Sequence, residues 1–205
     1  MKIAIVDVCH TLYKSNTTFD YIDFVLNNKN KKVVLLKFKL VKYALIILGR
    51  FLHKDLYRYL YIKKLRGFNK SELEYMASEF YRVTLKPLKV ASTFDIINKE
   101  QTNYKFILAS ASLNLIIESI IKNERIFEDN AFSSTLGFNN DICTGKLIRD
   151  LLGNKHIYFS EVSWVITDNI SDLNLAKKAE KVTILSKPKN IAFWERNGFK
   201  VDIII

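Results

Sequence analysis

Three short segments place side chains that can act as nucleophiles, hydrogen-bond donors or metal ligands directly after apolar runs. They are Asp7 and Cys9, then Ser110 and Ala111, and finally Asp168 and Asp172. Taken singly, each has a common structural explanation, because aspartate and serine cap turns and helix starts in many proteins. Their chemistry becomes informative when the three segments are considered together.

The third segment predicts a magnesium site. Asp168 and Asp172 lie at a predicted strand-to-helix transition, and a spacing of four brings two side chains to one face of a helix. Two carboxylates that converge repel each other unless a cation lies between them, and hard oxygen ligands suit Mg²⁺. The alternative is a pair of acids that only interact with a helix N-terminus.

The second segment predicts an anion site. Ser110 and the free amides of the turn would face an anion at a helix N-terminus, with Ser112 as the N-cap. Two serines that serve only as cap and turn residues are the structural alternative. The ammonium group of Lys155 could hold a phosphoryl group and neutralise the carboxylates, and Lys146 is the rival candidate for that role.

Five apolar runs separated by helix-like segments predict an α/β fold. The runs are Lys2 to Val6, Tyr104 to Ala109, Ser163 to Thr167, Lys181 to Leu185 and Val201 to Ile205. Such alternation is typical of a Rossmann-like parallel sheet core with helices on both faces. Ligands of these sheets bind beyond the carboxyl ends of the strands, where Asp7, Ser110 and Asp168 stand.

The interval between the first two runs has helical periodicity instead. Apolar residues recur at three- and four-residue spacing through Phe19 to Leu26, Leu35 to Leu52, Leu56 to Leu65 and Leu73 to Val83. Ser71 is the predicted N-cap of the last of these helices. We expect an α/β core of residues 1–16 and 101–205, with residues 17–100 inserted as an α-helical cap beside the site. A hairpin is predicted from Ala131 to Ile148.

Composition restricts the class of protein. The 205 residues are 49% hydrophobic, which is enough for a substantial core. Two cysteines are too few for a disulfide framework, and Cys143 is predicted to lie in a turn region. The N-terminal segment lacks a small-residue cleavage site, which favours a cytoplasmic protein.

The net charge of +11 indicates anionic partners, and much of it lies in one lysine-rich stretch. Its members are Lys29, Lys31, Lys32, Lys37, Lys39, Lys42, Arg50 and Lys54. No motif of aromatics and glycines at fixed spacing accompanies them, which argues against nucleic acid. The segment Val33 to Leu52 carries too many charges to span a bilayer. We interpret it as a helix that packs on its neighbours, with peripheral contact to an anionic membrane as the alternative.

The order and context of these segments resemble the haloacid dehalogenase (HAD) superfamily of phosphatases. The helical insertion resembles the phosphoserine-phosphatase-like branch of that superfamily, and the resemblance covers essentially the whole chain. It implies a Mg²⁺-dependent hydrolase that acts on a small phosphorylated substrate through an aspartyl-phosphate. The implied roles are Asp7 as nucleophile, Ser110 and Ala111 as phosphate-binding residues, Lys155 as the stabilising cation, and Asp7, Asp168, Asp172 and the Cys9 carbonyl as metal ligands.

Cys9 departs from the family pattern, which has a second aspartate there as general acid and base. A thiol with an ordinary pKa of about 8.5 is protonated at neutral pH and seldom accepts a proton. Loss of a general acid or base typically costs about 10²- to 10⁴-fold, so hydrolysis of the aspartyl-phosphate is expected to be impaired.

His10 stands where the family frequently has glycine. Its imidazole has a suitable pKa to replace the missing base, but an extended segment would point it away from Cys9. Two further hypotheses follow from the departure at Cys9 and from the lysine-rich stretch. One is a phosphotransferase or other group-transfer enzyme, and the other is a catalytically inactive protein that binds phosphate or a membrane surface.

Overall fold

The computed structural model describes residues 2–30, 36, 38–52, 54–128 and 130–205. Lys31, Lys32 and Lys37 of the lysine-rich stretch lie outside the described residues, as do Val33 and the predicted helix start at Leu35. The strands are β1 (Lys2–Val6), β2 (Tyr104–Leu113), β3 (Phe132–Asn139), β4 (Ile142–Arg149), β5 (Val162–Thr167), β6 (Ala179–Ser186) and β7 (Ile203–Ile204).

Within the described residues, these seven strands form one sheet in the order β4-β3-β2-β1-β5-β6-β7. Every neighbouring pair is parallel except β3 and β4, which are antiparallel. The predicted α/β fold with a mostly parallel sheet is confirmed. In the central register, Val6 lies opposite Leu108 of β2 and Ile166 of β5. The residues that follow these three strands therefore meet at one edge of the sheet.

Successive side chains of the central strands point to opposite faces of the sheet, and both faces are buried. Ile5, Ile107 and Val165 belong to one apolar cluster, whereas Val6 and its neighbours Leu108 and Ile166 belong to the main core. This arrangement is typical of parallel strands covered by helices on both sides. Burial on both faces fixes the register, because a shift by one residue would exchange the two sets of side chains.

The interval between β1 and β2 is helical, as the periodicity predicts. The helices of the described chain are α1 (Thr17–Asn28), α2 (Lys39–Phe51), α3 (Leu56–Lys63), α4 (Lys70–Phe80), α5 (Ala91–Glu100), α6 (Asn114–Asn123), α7 (Leu173–Ala176) and α8 (Ile191–Arg196). Residues of α1 and α4, such as Ile22 and Phe80, share the main apolar core with β1 and β2. This packing holds the helical interval against the carboxyl edge of the sheet.

Two predicted helix caps are wrong. α4 begins at Lys70 with Asn69 at the N-cap, so Ser71 lies inside the helix. Ser112 is not a cap either, because β2 continues to Leu113. Pairing of β2 with β3, at Ser110 opposite Ser133 and Leu113 opposite Ser134, keeps the serine segment in the sheet.

The predicted hairpin is confirmed as β3 and β4. Asn140 and Asp141 form its turn with φ angles of 46° and 60°, the left-handed conformation that asparagine and aspartate tolerate better than most residues. Cys143 lies in β4 and is buried, so its predicted position in a turn region is wrong. Both cysteines are free thiols.

Candidate active site

A buried ion cluster lies beyond the ends of β1 and β5. The Nζ atom of Lys155 donates a hydrogen bond of 2.7 Å to Oδ1 of Asp7 and another of 2.7 Å to Oδ2 of Asp172. The three side chains are only 3%, 3% and 2% exposed, in the order Lys155, Asp7 and Asp172. One ammonium group thus joins two carboxylates that the sequence separates by 165 positions.

Local structure positions each member of this cluster. The Asp7 amide donates to the Ile166 carbonyl at 2.9 Å, which extends the hydrogen bonding between β1 and β5 to Asp7. Lys155 opens a 3₁₀ turn, Lys155–Ile157. Lys146, the rival candidate, is exposed on β4.

Electrostatics keep Lys155 charged. Burial alone lowers the pKa of its ammonium group, but the carboxylates of Asp172 and Asp7 outweigh burial and raise the pKa above its ordinary value. Burial raises the pKa of Asp172, and the nearby Lys155 opposes that shift. A permanent cation therefore faces the carboxylate of Asp7.

Asp168 lies beside this cluster on the loop that follows β5. Its Oδ1 accepts a hydrogen bond of 3.1 Å from the Thr11 hydroxyl, and its own amide donates to that hydroxyl at 2.9 Å. Burial and the negative charge of Asp7 raise the pKa of Asp168 to about 7. These two hydrogen bonds join the loop after β1 to the loop after β5. The pKa of the Asp168 carboxyl group at this junction depends on nearby charges.

The predicted reason for convergence of the two acids is wrong. Asp168 is not helical, and Asp172 closes a 3₁₀ turn, Ile170–Asp172, that the side chain of Asn169 caps through the Ser171 amide. The negative charge of Asp7 still contributes to raising the pKa of both carboxyl groups, so both lie near it. A tight turn, rather than one face of an α-helix, brings them to the site.

The donor set fits Mg²⁺ in its chemistry. Oδ2 of Asp7 and Oδ1 of Asp172 are buried without a hydrogen-bond partner in the described structure. Buried carboxylate oxygens without partners are costly unless a proton or cation satisfies them, and hard oxygen ligands suit Mg²⁺. Among the described residues, however, no group of three or more His, Cys, Asp or Glu side chains is arranged to hold a metal. The fit therefore rests on the two orphaned oxygens and not on a complete side-chain cage.

A second, uncharged group of contacts surrounds Cys9, which follows Asp7 by two residues. The Cys9 sulfur is 3.1 Å from Oγ1 of Thr17 and 3.4 Å from Oγ of Ser112. Thr17 and Ser112 also hydrogen-bond to each other, and the Ser112 hydroxyl is 2.9 Å from that of Ser110. Burial, followed by the charge of Asp7, raises the pKa of the Cys9 thiol. We call the Cys9 thiol and the linked hydroxyls of Thr17, Ser112 and Ser110 the hydroxyl chain.

His10 adopts a left-handed backbone conformation instead of the predicted extended one. Its φ of 57° lies in the left-handed region that favours glycine, so the segment is not extended there. The side chain lines the same cavity as Asp7 and Cys9. Burial, with a further contribution from Lys187, lowers the pKa of the imidazole, which favours its neutral form. A neutral imidazole in this cavity is able to accept a proton.

The second segment contributes different atoms from those predicted. Ser112 and Ala111 line the cavity, whereas Ser110 is fully buried and its hydroxyl contacts that of Ser112. The α6 helix begins only at Asn114, because the serines belong to β2. Ser110 and Ala111 are therefore adjacent to the cavity, although no helix cap holds them there.

Sequence reasoning missed Arg58 of α3. Its Nη1 atom donates to both carboxylate oxygens of Asp150 at 2.7 and 2.6 Å, and Nη2 donates to the Ala111 carbonyl at 2.6 Å. The sequence did contain a signal, because Arg58 shares a helical face with the buried Tyr61 and Ile62. A charged residue on an apolar face requires a partner, and Asp150 supplies it.

The cavity beside Asp7 is small, at about 280 Å³. Its walls include Phe19 of α1 and Arg58 of α3, together with Asp7, Ala111 and Asp168 of the sheet edge. A cavity of this size suits a small ligand, and its walls come from both the helical interval and the α/β region.

Solved structures share this architecture. A protein of unknown function from Bordetella pertussis Tohama I matches with a TM-score of 0.73 at 13% identity, over 98% of this chain and 97% of that chain. A HAD family hydrolase from Salmonella enterica serovar Typhi matches with a TM-score of 0.62 at 16% identity, over 100% of this chain and 67% of that chain. A phosphoserine phosphatase solved as a phospho-aspartyl intermediate analogue matches with a TM-score of 0.62 at 17% identity, over 100% and 92%.

No protein family model matches the sequence, and no curated protein matches it. At these low identities, the structural matches establish the fold alone. The chain shares its fold with a HAD family hydrolase and with a phosphoserine phosphatase. The resemblance inferred from the short motifs is confirmed at that level.

Proposed function

We propose that the protein is a Mg²⁺-dependent phosphomonoesterase that acts on a small phosphorylated substrate through an aspartyl-phosphate on Asp7. The observation that carries the proposal is the ammonium of Lys155 between the carboxylates of Asp7 and Asp172, with one oxygen of each acid left unsatisfied. Phosphoryl transfer through an aspartyl-phosphate uses a carboxylate nucleophile together with cations for the phosphoryl oxygens.

In the first half-reaction, a carboxylate oxygen of Asp7 forms a bond to phosphorus as the ester P–O bond breaks. Lys155 holds the charge of the phosphoryl oxygens, and Ser110, Ala111 and Ser112 border the phosphoryl position. The departing alkoxide takes up a proton from solvent water. In the second half-reaction, water attacks phosphorus and gives up a proton to solvent, the bond between phosphorus and the Asp7 oxygen breaks, and inorganic phosphate leaves the restored Asp7 carboxylate.

Asp7, Asp168, Asp172 and the Cys9 carbonyl are the proposed ligands of Mg²⁺. The ion, when bound, would neutralise part of the charge shared by the nucleophile and the phosphoryl oxygens. The unsatisfied oxygens of Asp7 and Asp172 support this assignment, as does the raised pKa of Asp168. Without a metal ion, the ammonium group of Lys155 and the hydroxyls of Thr11 and Thr167 partly offset the mutual repulsion of these acids.

Residues 17–100 are the proposed cap, and residues 1–16 and 101–205 the proposed core. Phe19 and Arg58 of the cap line the cavity over Asp7, so the cap is expected to select the substrate. The phospho-aspartyl analogue named for a structurally related phosphoserine phosphatase agrees with the proposed intermediate.

The direct test measures phosphate release from a panel of small phosphate esters with Mg²⁺. The Asp7→Asn variant keeps the shape of the side chain and removes the nucleophile, so we expect turnover to fall by at least about 10³-fold. Release by the wild-type protein that is no faster than release by Asp7→Asn would refute the proposal. It would instead favour a phosphate-binding protein without catalysis.

Group transfer to an acceptor other than water is the second candidate. Cys9 favours it, because neutral hydroxyls and a thiol occupy the place where hydrolysis needs a base. A small alcohol such as glycerol, added during turnover, would then receive part of the phosphoryl group. The yield of glycerol phosphate relative to inorganic phosphate distinguishes the two reactions, and a product that is inorganic phosphate alone excludes transfer to this acceptor.

A further inference from the structure

The outermost face of the helical interval is apolar and has no covering element in the described structure. On α2, Leu40 is 85% exposed, Tyr43 62%, Ile47 54% and Phe51 78%. Their spacing of three or four places them along one side of the helix, which is about 20 Å long at 1.5 Å per residue. We call these four residues the outer face of α2.

The opposite side of α2 anchors the helix. Val41 and Leu45 pack against the main apolar core, and Gly49 is buried. A Cβ atom on Gly49 would lie 2.4 Å from the Lys54 carbonyl, so the helix approaches the following loop closely. This inward stripe fixes the orientation of α2 and directs its outer face away from the core. The predicted packing of this helix therefore accounts for only one of its two apolar sides.

Exposed apolar residues continue beyond the outer face. Phe38, Leu48 and Leu52 are each at least half exposed. Isolated apolar residues on a surface need no explanation, but a contiguous group of large ones marks an interaction site.

The sequence that contains α2 carries charge of a single sign between residues 29 and 54. From Lys29 to Lys54 the sequence contains eight Lys or Arg residues and no Asp or Glu. Lys39 and Arg50 are exposed on α2, where they flank the outer face along the helix. A partner must therefore combine an apolar layer with negative charge.

We propose that α2 docks on the surface of an anionic lipid bilayer. The outer face would lie at the boundary between headgroups and acyl chains, with Lys39 and Arg50 at the level of the lipid phosphates. An amphipathic helix bound in this way gains from burial of its apolar residues, and each nearby Lys or Arg adds about 1 kcal/mol. A bilayer offers both the apolar layer and the negative charge on one surface.

Two other occupants of this face are less consistent with its charge. A second copy of the chain would bring the same basic residues together, and such like charges repel. Insertion across the bilayer is not the mode either, because no helix in the described residues is long and apolar enough to cross a membrane. The charge pattern therefore selects an anionic surface over self-association.

Sedimentation with liposomes tests the proposal with the full-length protein. Vesicles of neutral phosphatidylcholine are compared with vesicles that contain about 30% phosphatidylserine, and binding is expected only to the second. Leu40→Glu combined with Phe51→Glu removes the apolar contact. Lys39→Gln combined with Arg50→Gln should lower the partition coefficient roughly 30-fold, which corresponds to about 1 kcal/mol for each basic residue.

Matched controls keep the changes of residue type but move them away from α2. Tyr75→Glu alters an exposed aromatic residue on α4, and Lys99→Gln with Lys200→Gln removes the same net charge elsewhere. These controls should bind like the wild-type protein. The proposal is overturned if anionic vesicles bind no protein, or if the α2 variants and the controls bind equally. A dimer in solution that the Leu40 and Phe51 substitutions dissociate, without vesicle binding, would also overturn it.

Discussion

Two neighbours of Asp7, the buried ion cluster and the hydroxyl chain, differ in their chemistry, and we call them its charged side and its neutral side. On one side, Lys155 and Asp172 form a fully buried arrangement of full charges held by bonds of 2.7 Å. On the other side, Cys9 contacts the hydroxyls of Thr17 and Ser112, which carry no charge. Both sides begin at the same strand end, and they would serve different halves of the proposed reaction.

In the proposed reaction, this difference would separate formation of the phospho-enzyme from its breakdown. The charged side can stabilise the phosphoryl group as it reaches Asp7. In the described structure, the side-chain contacts of Cys9 are with hydroxyls, and burial raises the pKa of its thiol. His10 lines the same cavity as Asp7 and Cys9, and its neutral imidazole is able to accept a proton.

Substitution of Lys155 should have the largest effect. Lys155→Met leaves two buried carboxylates without their cation, and breaking a buried pair in this way destabilises proteins by about 3–5 kcal/mol. Turnover should fall by about 10²- to 10³-fold or more, as for loss of one donor to a developing charge. Thermal unfolding and phosphate release measure the two effects. Lys146→Met, on the exposed surface of β4, serves as the control. Equal Tm and equal phosphate release in the two variants would mean that Lys155 takes no part in the reaction.

Cys9→Asp should act in the opposite direction by converting the neutral side into a charged one. An aspartate there can protonate the leaving group and activate water, so dephosphorylation should accelerate by about 10²- to 10⁴-fold. Rapid-quench measurement of the phospho-enzyme lifetime gives this rate directly. Cys9→Ser keeps the side neutral and should leave the lifetime close to that of the wild-type protein. An unchanged lifetime in Cys9→Asp would mean that another group, with His10 foremost, already supplies the base.

The charged side could be predicted from the sequence because its residues follow strong strand signals. Asp7 and Asp168 stand directly after apolar runs, and parallel strands bring their carboxyl ends to one edge. The residue types then restrict the chemistry to carboxylates and a cation. Lys155 is the hardest residue of the charged side to predict, because its own segment does not distinguish it from surface lysines. Its burial becomes evident only in the folded structure.

The neutral side and Arg58 could not be predicted in the same way. Thr17 and Ser112 are 95 positions apart, and only the packing of α1 beside β2 brings their hydroxyls together. The left-handed φ of His10 depends on a local turn that periodicity does not report. Arg58 and Asp150 likewise meet through tertiary packing. Local pattern therefore identifies strand-end residues, whereas contacts between distant elements require the fold.

The metal-free protein should lose stability as pH rises, and Mg²⁺ should restore it. The pKa of Asp168 is raised to about 7, so between about pH 4 and 7 the folded state holds a proton that the unfolded state has lost. This contribution is present at low pH and disappears as pH rises through 7. A change of about 1 kcal/mol shifts Tm by roughly 2–4 °C in a chain of this size.

Differential scanning calorimetry between pH 5 and 8, with EDTA or with Mg²⁺, measures this dependence. Asp168→Asn should flatten the pH profile of the metal-free protein, whereas the exposed Asp95→Asn should not. A Tm that Mg²⁺ leaves unchanged at pH 8 would contradict the proposed metal site.

The smallest effect is expected from the hydroxyl chain itself, and it depends on what stands at position 9. In the wild-type background, Thr17→Val removes a contact between neutral groups worth about 0.5–1.5 kcal/mol in stability, and turnover should change by less than about threefold. In the Cys9→Asp background the same hydroxyl would contact a carboxylate, and such bonds are worth about 1.5–3 kcal/mol. A double-mutant cycle over Cys9→Asp and Thr17→Val therefore should give a coupling energy above about 0.5 kcal/mol. Strictly additive effects would mean that Thr17 does not orient the side chain of residue 9, and that the neutral side acts through residue 9 alone.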